Sequence, residues 1–99
     1  MAKVMEFVQF KLKEGASVTD FLTASDKFQK DYLTKCKGYI TRTLALKDDM
    51  WVDCVIWETM DNAQKAMEEA YESPLFTDFG SFLDIENCEA QHLVVQRTY

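Results

Sequence analysis

The pattern of apolar and polar residues along the chain predicts four strands. A first strand is expected from Lys3 to Leu12, where Val and Phe alternate roughly with polar residues. Two further strands, Tyr39 to Leu46 and Trp51 to Glu58, are separated by four polar residues, KDDM, and are expected to pair as an antiparallel hairpin. A last strand is predicted from Cys88 to Tyr99.

The segment after the first strand has a helical spacing of apolar residues. Ser17, with Asp20 three residues later, resembles a capping box at a helix N-terminus. Gly38 is placed to adopt the left-handed conformation that follows a last helical turn. A long helix is therefore predicted between these two ends. Its apolar face is expected to contain Phe21, Leu22, Phe28, Tyr32, Leu33 and Cys36.

Two more helices are predicted before the last strand. Thr59 is a suitable N-cap for a helix that runs to about Ser73, with alanines along one face. Pro74 either stops this helix or begins the next one. The apolar residues that follow it predict a short helix weakened at Gly80.

The order of these elements is the split βαβ plan of a ferredoxin-like α+β fold, with one extra short helix before the last strand. Right-handed crossovers place the helices on one face of a four-stranded antiparallel sheet. The first strand nevertheless carries apolar residues on both faces, with Val4 and Val8 on one and Met5 and Phe7 on the other. A second copy of the chain is expected to cover the face without helices, because two-fold homodimers are the commonest oligomers.

Composition narrows the class of protein. Ninety-nine residues, of which 47% are hydrophobic, predict one folded domain over residues 1–99. The formal net charge of -6 opposes binding to nucleic acid or to anionic membranes. Three widely spaced cysteines outside any Cys/His cluster indicate reduced thiols in a cytoplasmic protein. No apolar run approaches the about 20 residues of a membrane span, and no nucleotide or metal motif is present, so neither a membrane nor a cofactor is expected.

The chain resembles the dimeric α/β-barrel superfamily, and within it the antibiotic-biosynthesis-monooxygenase-like small proteins. The resemblance rests on the order of elements and on four stretches: FL at Phe21 and Leu22, GYITRTL at Gly38 to Leu44, WVDCVIWE at Trp51 to Glu58, and DNAQKAM at Asp61 to Met67. It implies that two ferredoxin-like sheets pair into a barrel, with a ligand cavity between helices and sheet in each subunit. The activities it implies range from cofactor-independent oxygenation of aromatic or quinol-like substrates to haem degradation and isomerisation.

The residues of this chain depart from two branches of that superfamily. Haem-degrading members carry an Asn on the first strand and a haem-binding His on a helix. Here the first strand offers Glu6 and Gln9, and the one histidine, His92, falls on the last predicted strand. Members of the stress-responsive group place a His where this chain has Glu6. Haem is therefore not an expected ligand, and the stress-responsive group is a poor match.

Five polar or aromatic side chains on the predicted strands are candidates for a site: Glu6, Arg42, Asp53, Trp57 and His92. A hairpin that turns on Asp48 and Asp49 brings Arg42 and Asp53 together as diagonal neighbours on one face. A loop one residue longer would send them to opposite faces. The shorter loop predicts these cross-strand pairs: Leu46 with Trp51, Leu44 with Asp53, Arg42 with Val55, and Ile40 with Trp57.

Each candidate has a structural and a functional interpretation. Arg42 and Asp53 are either a structural ion pair or an anion-handling pair in the cavity. His92 is either an ordinary strand histidine or a general base, for which its unperturbed pKa of about 6.5 is well suited. Glu6 is either a surface carboxylate or a partner that orients the histidine, and Trp57 is either a core residue or a flat wall for an aromatic ligand.

Two functions follow from these candidates. In the first, a cytoplasmic homodimer binds an apolar or aromatic small molecule and acts as a cofactor-independent monooxygenase. His92, helped by Glu6, then removes a proton from a phenol or enol, and Arg42 stabilises the resulting anion, while Trp57 and Asp53 contact the substrate. In the second, the same fold is a non-catalytic ligand-binding or interaction module, which a cavity lined only by hydrocarbon would favour.

Overall fold

The computed structural model describes residues 2–99 and contains one four-stranded sheet. The strands are β1 (Val4–Leu12), β2 (Tyr39–Lys47), β3 (Met50–Trp57) and β4 (Leu83–Val94), in the order β2-β3-β1-β4. All neighbours pair antiparallel. The helices are α1 (Val18–Asp31), α2 (Met60–Ala70) and α3 (Pro74–Gly80), with a short 3-10 turn at Leu33–Lys35. The predicted ferredoxin-like α+β fold is confirmed.

The first helix begins as predicted but ends early. The hydroxyl of Ser17 accepts a hydrogen bond from the Asp20 amide at 3.2 Å, which caps α1. The helix ends at Asp31, and a 3-10 turn follows where the helix was expected to continue. Leu22 was wrongly placed on the apolar face, since its side chain is 39% exposed. The buried stripe has helical spacing without it and consists of Phe21, Ala24, Ser25 and Phe28.

The hairpin register confirms three of the four predicted pairs. Asp48 and Asp49 form the turn, and the positive φ of 56° at Asp48 suits the tight turns that join antiparallel strands. The expected pairing of Ile40 with Trp57 is wrong, because the register shifts at the start of β2 and Tyr39 takes that place. The confirmed pairs are Leu46 with Trp51, Leu44 with Asp53, and Arg42 with Val55.

The last strand lies earlier in the chain than the predicted Cys88–Tyr99. It begins at Leu83, which pairs with Leu12, and ends at Val94. Residues 85–88 fall in a register shift between two paired segments of this edge strand. Because a shift of this kind breaks the alternation of apolar and polar residues, the first part of β4 resembled loop or helix in the sequence.

The two faces of the sheet have different surroundings. On the face towards the helices, aromatic rings form the centre of the core, with ring centroids of Phe21 and Trp51 5.0 Å apart and those of Phe10 and Phe21 5.8 Å apart. The other face is only half-buried, and within residues 2–99 no helix packs on it. Its apolar residues on the two central strands are Met5, Phe7, Val52, Cys54 and Ile56. None of the helices described by the structure is long and apolar enough to cross a membrane.

Gly38 has the predicted left-handed conformation and no room for a side chain. Its φ is +84°, and a Cβ there would overlap the side-chain amide of Asn62. We expect Gly38→Ala to cost about 1–2 kcal/mol for the conformation and about a further 1–3 kcal/mol for the overlap. Gly15 is the matched control, because it has a φ of +78° with open space around it. Urea unfolding of both alanine variants measures the difference, and equal losses would contradict the overlap.

Candidate functional site

A cavity of about 180 Å³ lies between the helices and the sheet. Strands β1, β3 and β4 form its floor, and side chains from α1, α2 and α3 form its roof. Ala90 and Tyr71 line it and are exposed, which places its opening between β4 and the end of α2. Most of the wall is apolar, and it includes the aromatic rings of Phe10, Phe28, Trp57, Phe76 and Phe79.

A second hollow lies on the outer surface, between the 3-10 turn and α2. Its volume of about 270 Å³ exceeds that of the cavity, but charged side chains of both signs line it, among them Asp31, Lys35, Lys65 and Glu69. Such a lining is typical of a solvated surface depression. The aromatic cavity is less open and more apolar, and it is the better candidate for a small-molecule site.

Glu6 places a carboxylate inside the aromatic cavity. It lies on β1 between Val4 and Val8, whose side chains face the helices, so the alternation of the strand turns Glu6 inwards as well. The indole Nε1–H of Trp57, a residue only 1% exposed, donates a hydrogen bond to Oε1 of Glu6 at 2.9 Å. This hydrogen bond fixes the orientation of the Glu6 carboxylate. It also links two of the predicted site residues, Glu6 and Trp57.

Burial raises the pKa of Glu6 above its ordinary value. The hydrogen bond from Trp57 and the nearby charge of His92 lower the pKa, and the charge of Asp53 raises it, but the loss of solvation is the largest of these effects. A carboxylate with a raised pKa is a stronger base than an exposed one. Glu6 is therefore better suited to accepting a proton near neutral pH.

The raised pKa predicts a pH-dependent stability. Folding disfavours the charged form of Glu6, so its contribution is complete below the unfolded pKa of about 4.3 and is lost as the pH rises through the higher folded pKa. We expect wild type to lose stability relative to Glu6→Gln between pH 4 and pH 8. Asp53 and His92 are the charged groups that act on Glu6. Urea unfolding of wild type and Glu6→Gln is therefore measured at each pH, and the comparison is repeated with His92→Gln present in both proteins. If the free energies of unfolding of wild type and Glu6→Gln change with pH in parallel, the burial effect on Glu6 is contradicted.

Arg42 and Asp53 form the ion pair that the shorter hairpin loop predicted. Nε of Arg42 donates to both carboxylate oxygens of Asp53, at 3.0 and 3.2 Å, and Nη2 donates to Oδ2 at 2.8 Å. The third nitrogen, Nη1, donates to the backbone carbonyl of Ser25 at 3.2 Å. The side chains of Arg42 and Asp53 are only 5% and 10% exposed. This is a buried, bidentate pair, which is the strong form of this interaction.

This geometry does not support the expected role of Arg42 in stabilising a substrate anion. Asp53 lines the cavity, whereas Arg42 does not. The guanidinium carbon lies 5.7 Å from the ring centre of Phe28 and 5.3 Å from that of Phe79, two rings that line the cavity. All three nitrogens of Arg42 already donate to Asp53 or Ser25, which favours the structural role that the sequence left open as the alternative.

His92 lies beside Glu6 but not at the cavity wall. The two residues are directly paired across β1 and β4, as the neighbouring positions of these strands predicted. The histidine is half-buried, and its buried Nε2 has no hydrogen-bond partner within the part of the chain that the structure describes. It is not among the residues that line the cavity. The expected direct contact of His92 with a substrate is therefore not supported.

Sequence reasoning missed the helical side of the site. Ser25 holds Arg42 through its backbone carbonyl, which no side-chain pattern can indicate. Phe28, Phe76 and Phe79 line the cavity, but their spacing in the sequence is the same as that of core residues. Only the unusual density of aromatic residues in α3, between Pro74 and Gly80, was a signal that this roof differs from an ordinary aliphatic core.

The cysteines do not provide a reactive group. Cys36, Cys54 and Cys88 are free and half-buried, and burial raises the pKa of each thiol. A raised pKa disfavours the thiolate, which is the nucleophilic form. Within residues 2–99, no group of three or more His, Cys, Asp or Glu side chains could hold a metal ion.

Solved structures of known proteins share this fold. SnoaB from Streptomyces nogalater, a cofactor-independent oxygenase, has a TM-score of 0.81 at 16% sequence identity, and the match covers 99% of this chain and 97% of SnoaB. A monooxygenase from the gene ActVA-Orf6 of Streptomyces coelicolor, solved in complex with the ligand Nanaomycin D, has a TM-score of 0.69 at 10% identity, with 99% of this chain and 91% of that chain covered.

A third structure bears on assembly. A dimeric ferredoxin-like protein from an uncultured marine organism has a TM-score of 0.70 at 10% identity, and the match covers 100% of this chain and 92% of that chain. No protein-family model matches the chain, and no curated protein matches it significantly. At these identities the likeness concerns the fold. The chain has the ferredoxin-like fold of the antibiotic-biosynthesis-monooxygenase-like proteins, as its resemblance to them predicted.

Proposed function

We propose that this protein binds an electron-rich phenol in the aromatic cavity and oxidises it as a cofactor-independent monooxygenase. One observation carries the proposal: a half-buried carboxylate, that of Glu6, lies in a cavity lined by aromatic side chains and is held there by Trp57. Flat walls suit an aromatic ring, and the carboxylate offers a proton acceptor beside it. The shared fold with a cofactor-independent oxygenase supports the same activity.

In the proposed reaction Glu6 is the base. The phenol donates its hydroxyl proton to the oxygen of Glu6 that does not bind Trp57. The phenolate carries electron density onto a ring carbon, which bonds to O₂ and takes up a proton to give a hydroperoxide. Loss of water then leaves a quinone. One atom of O₂ becomes the new carbonyl and the other leaves as water, so the four electrons lost by the phenol are those gained by O₂.

His92 is a positioning residue in this reaction. It is paired with Glu6 across the strands, and its charge lowers the pKa of the carboxyl group. It therefore helps to keep Glu6 ionised and ready to accept a proton. This assignment replaces the expectation that the histidine is the base itself.

The non-catalytic module is less well supported by the cavity. A cavity lined only by hydrocarbon would have favoured this module, if Arg42, Asp53 and His92 had all faced solvent or the dimer interface. Instead, Glu6 and Asp53 both line the cavity. Buried carboxylates are costly in a site that only needs apolar contacts.

Oxygen consumption with a panel of electron-rich phenols tests the proposed function. We expect turnover by wild type and a loss of at least about tenfold in Ala90→Phe, because a ring at this exposed strand position narrows the opening of the cavity. Gln64→Phe, on the exposed side of α2, is the matched control and should retain activity. Binding of phenols without any oxygen consumption would instead identify the non-catalytic module.

We further propose that two copies of the chain pair through the sheet face without helices. That face presents apolar side chains from both central strands, and Leu93 on β4 is 41% exposed. Exposed apolar surface of this kind is typical of an interface. The dimeric ferredoxin-like neighbour supports the same assembly. The free cysteines support a reducing, cytoplasmic location for it.

Phe7→Glu is expected to give a monomer. Phe7 lies in the centre of the sheet on the face without helices, so two copies of the variant would bury two carboxylates against apolar surface. Light scattering after size exclusion should give about twice the chain mass of 11.5 kDa for wild type and a single chain mass for the variant. Val18→Glu, at a position 47% exposed on α1, should stay dimeric. A wild-type monomer at micromolar concentration would contradict the proposed pairing.

A further inference from the structure

We infer that the cavity selects neutral phenols and rejects aromatic carboxylates of the same size, an inference that rests on the proposed function. Among residues 2–99, the lining contains the carboxylates of Glu6 and Asp53 and no Lys, Arg or His side chain. An enclosed site for an organic anion needs at least one cation or several hydrogen-bond donors aimed into it. The charged groups that line this cavity are instead negative, like the anion itself.

The nearest cation is not available to an incoming anion. Arg42 is held by both oxygens of Asp53 and by the carbonyl of Ser25. Turning the guanidinium towards the cavity would leave Asp53 as a buried charge without its partner, which is strongly unfavourable. The rings of Phe28 and Phe79 also lie against the guanidinium, at 5.7 and 5.3 Å.

Two polar hydrogens of the lining, those of Trp57 and Tyr32, are also in use, and the Tyr71 side chain lies at the exposed opening. The indole N–H of Trp57 donates to Glu6, and the hydroxyl of Tyr32 donates to the carbonyl of Ala66. Burial raises the pKa of Tyr32, which keeps this hydroxyl protonated and committed as a donor. A carboxylate ligand would thus meet the carboxylate of Glu6 without a hydrogen bond from Trp57 or Tyr32, whereas a phenol hydroxyl can donate to Glu6 directly.

The size of the cavity limits the ligand to about one substituted ring. An engineered apolar cavity of about 150 Å³ holds benzene, and the present cavity has about 180 Å³. A benzene ring with a hydroxyl and a short alkyl group therefore fits, with the hydroxyl at Glu6 and the alkyl group among the phenylalanines. The substrate class is a small alkyl-substituted phenol.

Binding of three matched probes tests the selection: 4-ethylphenol, 4-ethylanisole and 4-ethylbenzoate. The first is neutral with a donor, the second is neutral without one, and the third is an anion. Calorimetry at pH 8 should give the affinity order phenol, anisole, benzoate. We expect a difference of about 10- to 100-fold between the phenol and the benzoate, the range for a hydrogen bond to a charged group.

Glu6→Gln separates the charge of the site from its shape. The amide can still accept from Trp57 but carries no charge, so the ratio of phenol to benzoate affinity should fall by about tenfold. Glu14→Gln, an exposed carboxylate in the turn after β1, should leave the ratio unchanged. If Glu6→Gln fails to fold, the order of affinities in wild type decides the question by itself.

The possible results distinguish this inference from the proposed function. Benzoate binding as tightly as the phenol overturns the selection and leaves a functional aromatic cavity. Failure of all three probes to bind at millimolar concentration overturns the cavity as a binding site, and the selection with it. The predicted order in wild type, together with a smaller ratio of phenol to benzoate affinity in Glu6→Gln, supports both.

Discussion

Replacing Asp53 with asparagine is expected to lower the free energy of unfolding by about 3–5 kcal/mol. Asparagine has nearly the same shape, but it leaves the guanidinium of Arg42 buried without a counter-charge. The three hydrogen bonds from Arg42 to Asp53, at 2.8 to 3.2 Å, lose their charged acceptor. Urea unfolding measures the loss, which is a large part of the stability of an ordinary domain.

The exposed ion pair of this protein is a matched control. Lys11 and Asp49 lie 3.4 Å apart, with side chains 39% and 76% exposed. Asp49→Asn should therefore cost less than about 1 kcal/mol, as surface pairs do. The double variant Arg42→Met with Asp53→Leu should recover most of the stability that Asp53→Asn loses, because it leaves no buried charge unpaired. A loss below about 1 kcal/mol in Asp53→Asn would contradict a buried pair.

Replacing Glu6 with glutamine is expected to lower kcat by about 100- to 10,000-fold, the contribution typical of a general base. The amide keeps the acceptor for the indole of Trp57, so the cavity should hold its shape and KM should change by only a few-fold. Steady-state oxygen consumption measures both constants. A kcat that stays near the wild-type value would show that Glu6 does not accept the proton.

Two further variants separate the base from its surroundings. Glu14→Gln removes an exposed carboxylate and should leave both constants unchanged. His92→Gln should move the acid limb of the kcat/KM profile to higher pH, because the charge of the histidine lowers the pKa of Glu6. A merely structural histidine would change the rate or the stability without moving that limb.

The sequence predicted the fold and the ion pair because both depend on periodicity. The order of strands and helices follows from the change between two-residue and helical spacing, and the hairpin register follows from the length of the turn at Asp48 and Asp49. Once that register is known, Arg42 and Asp53 must share a face. The same alternation turns Glu6 towards the helices. The pairing of β1 with β4 then places His92 directly beside it.

The remaining features depend on packing in three dimensions. The register shift in β4 removed the alternation on which the strand prediction depended. Arg42 and His92 were candidates for the site because they are polar residues on predicted strands. In the structure the rings of Phe28 and Phe79 lie against Arg42, and His92 does not line the cavity. Whether an apolar helix residue fills a core or lines a cavity is decided by the gap between helices and sheet, which residue spacing does not encode.

Nuclear magnetic resonance of the two tryptophan indoles during titration with 4-ethylphenol tests most directly whether this cavity is the binding site. Trp57 lines the cavity and donates its Nε1–H to Glu6, whereas Trp51 stacks on Phe10 at 6.4 Å in the core and does not line it. Binding beside Glu6 should move the Nε1–H resonance of Trp57 to a saturating end point and leave that of Trp51 nearly unchanged. A titration that saturates with the Trp57 resonance unmoved, or that moves neither resonance, would contradict a phenol site in this cavity.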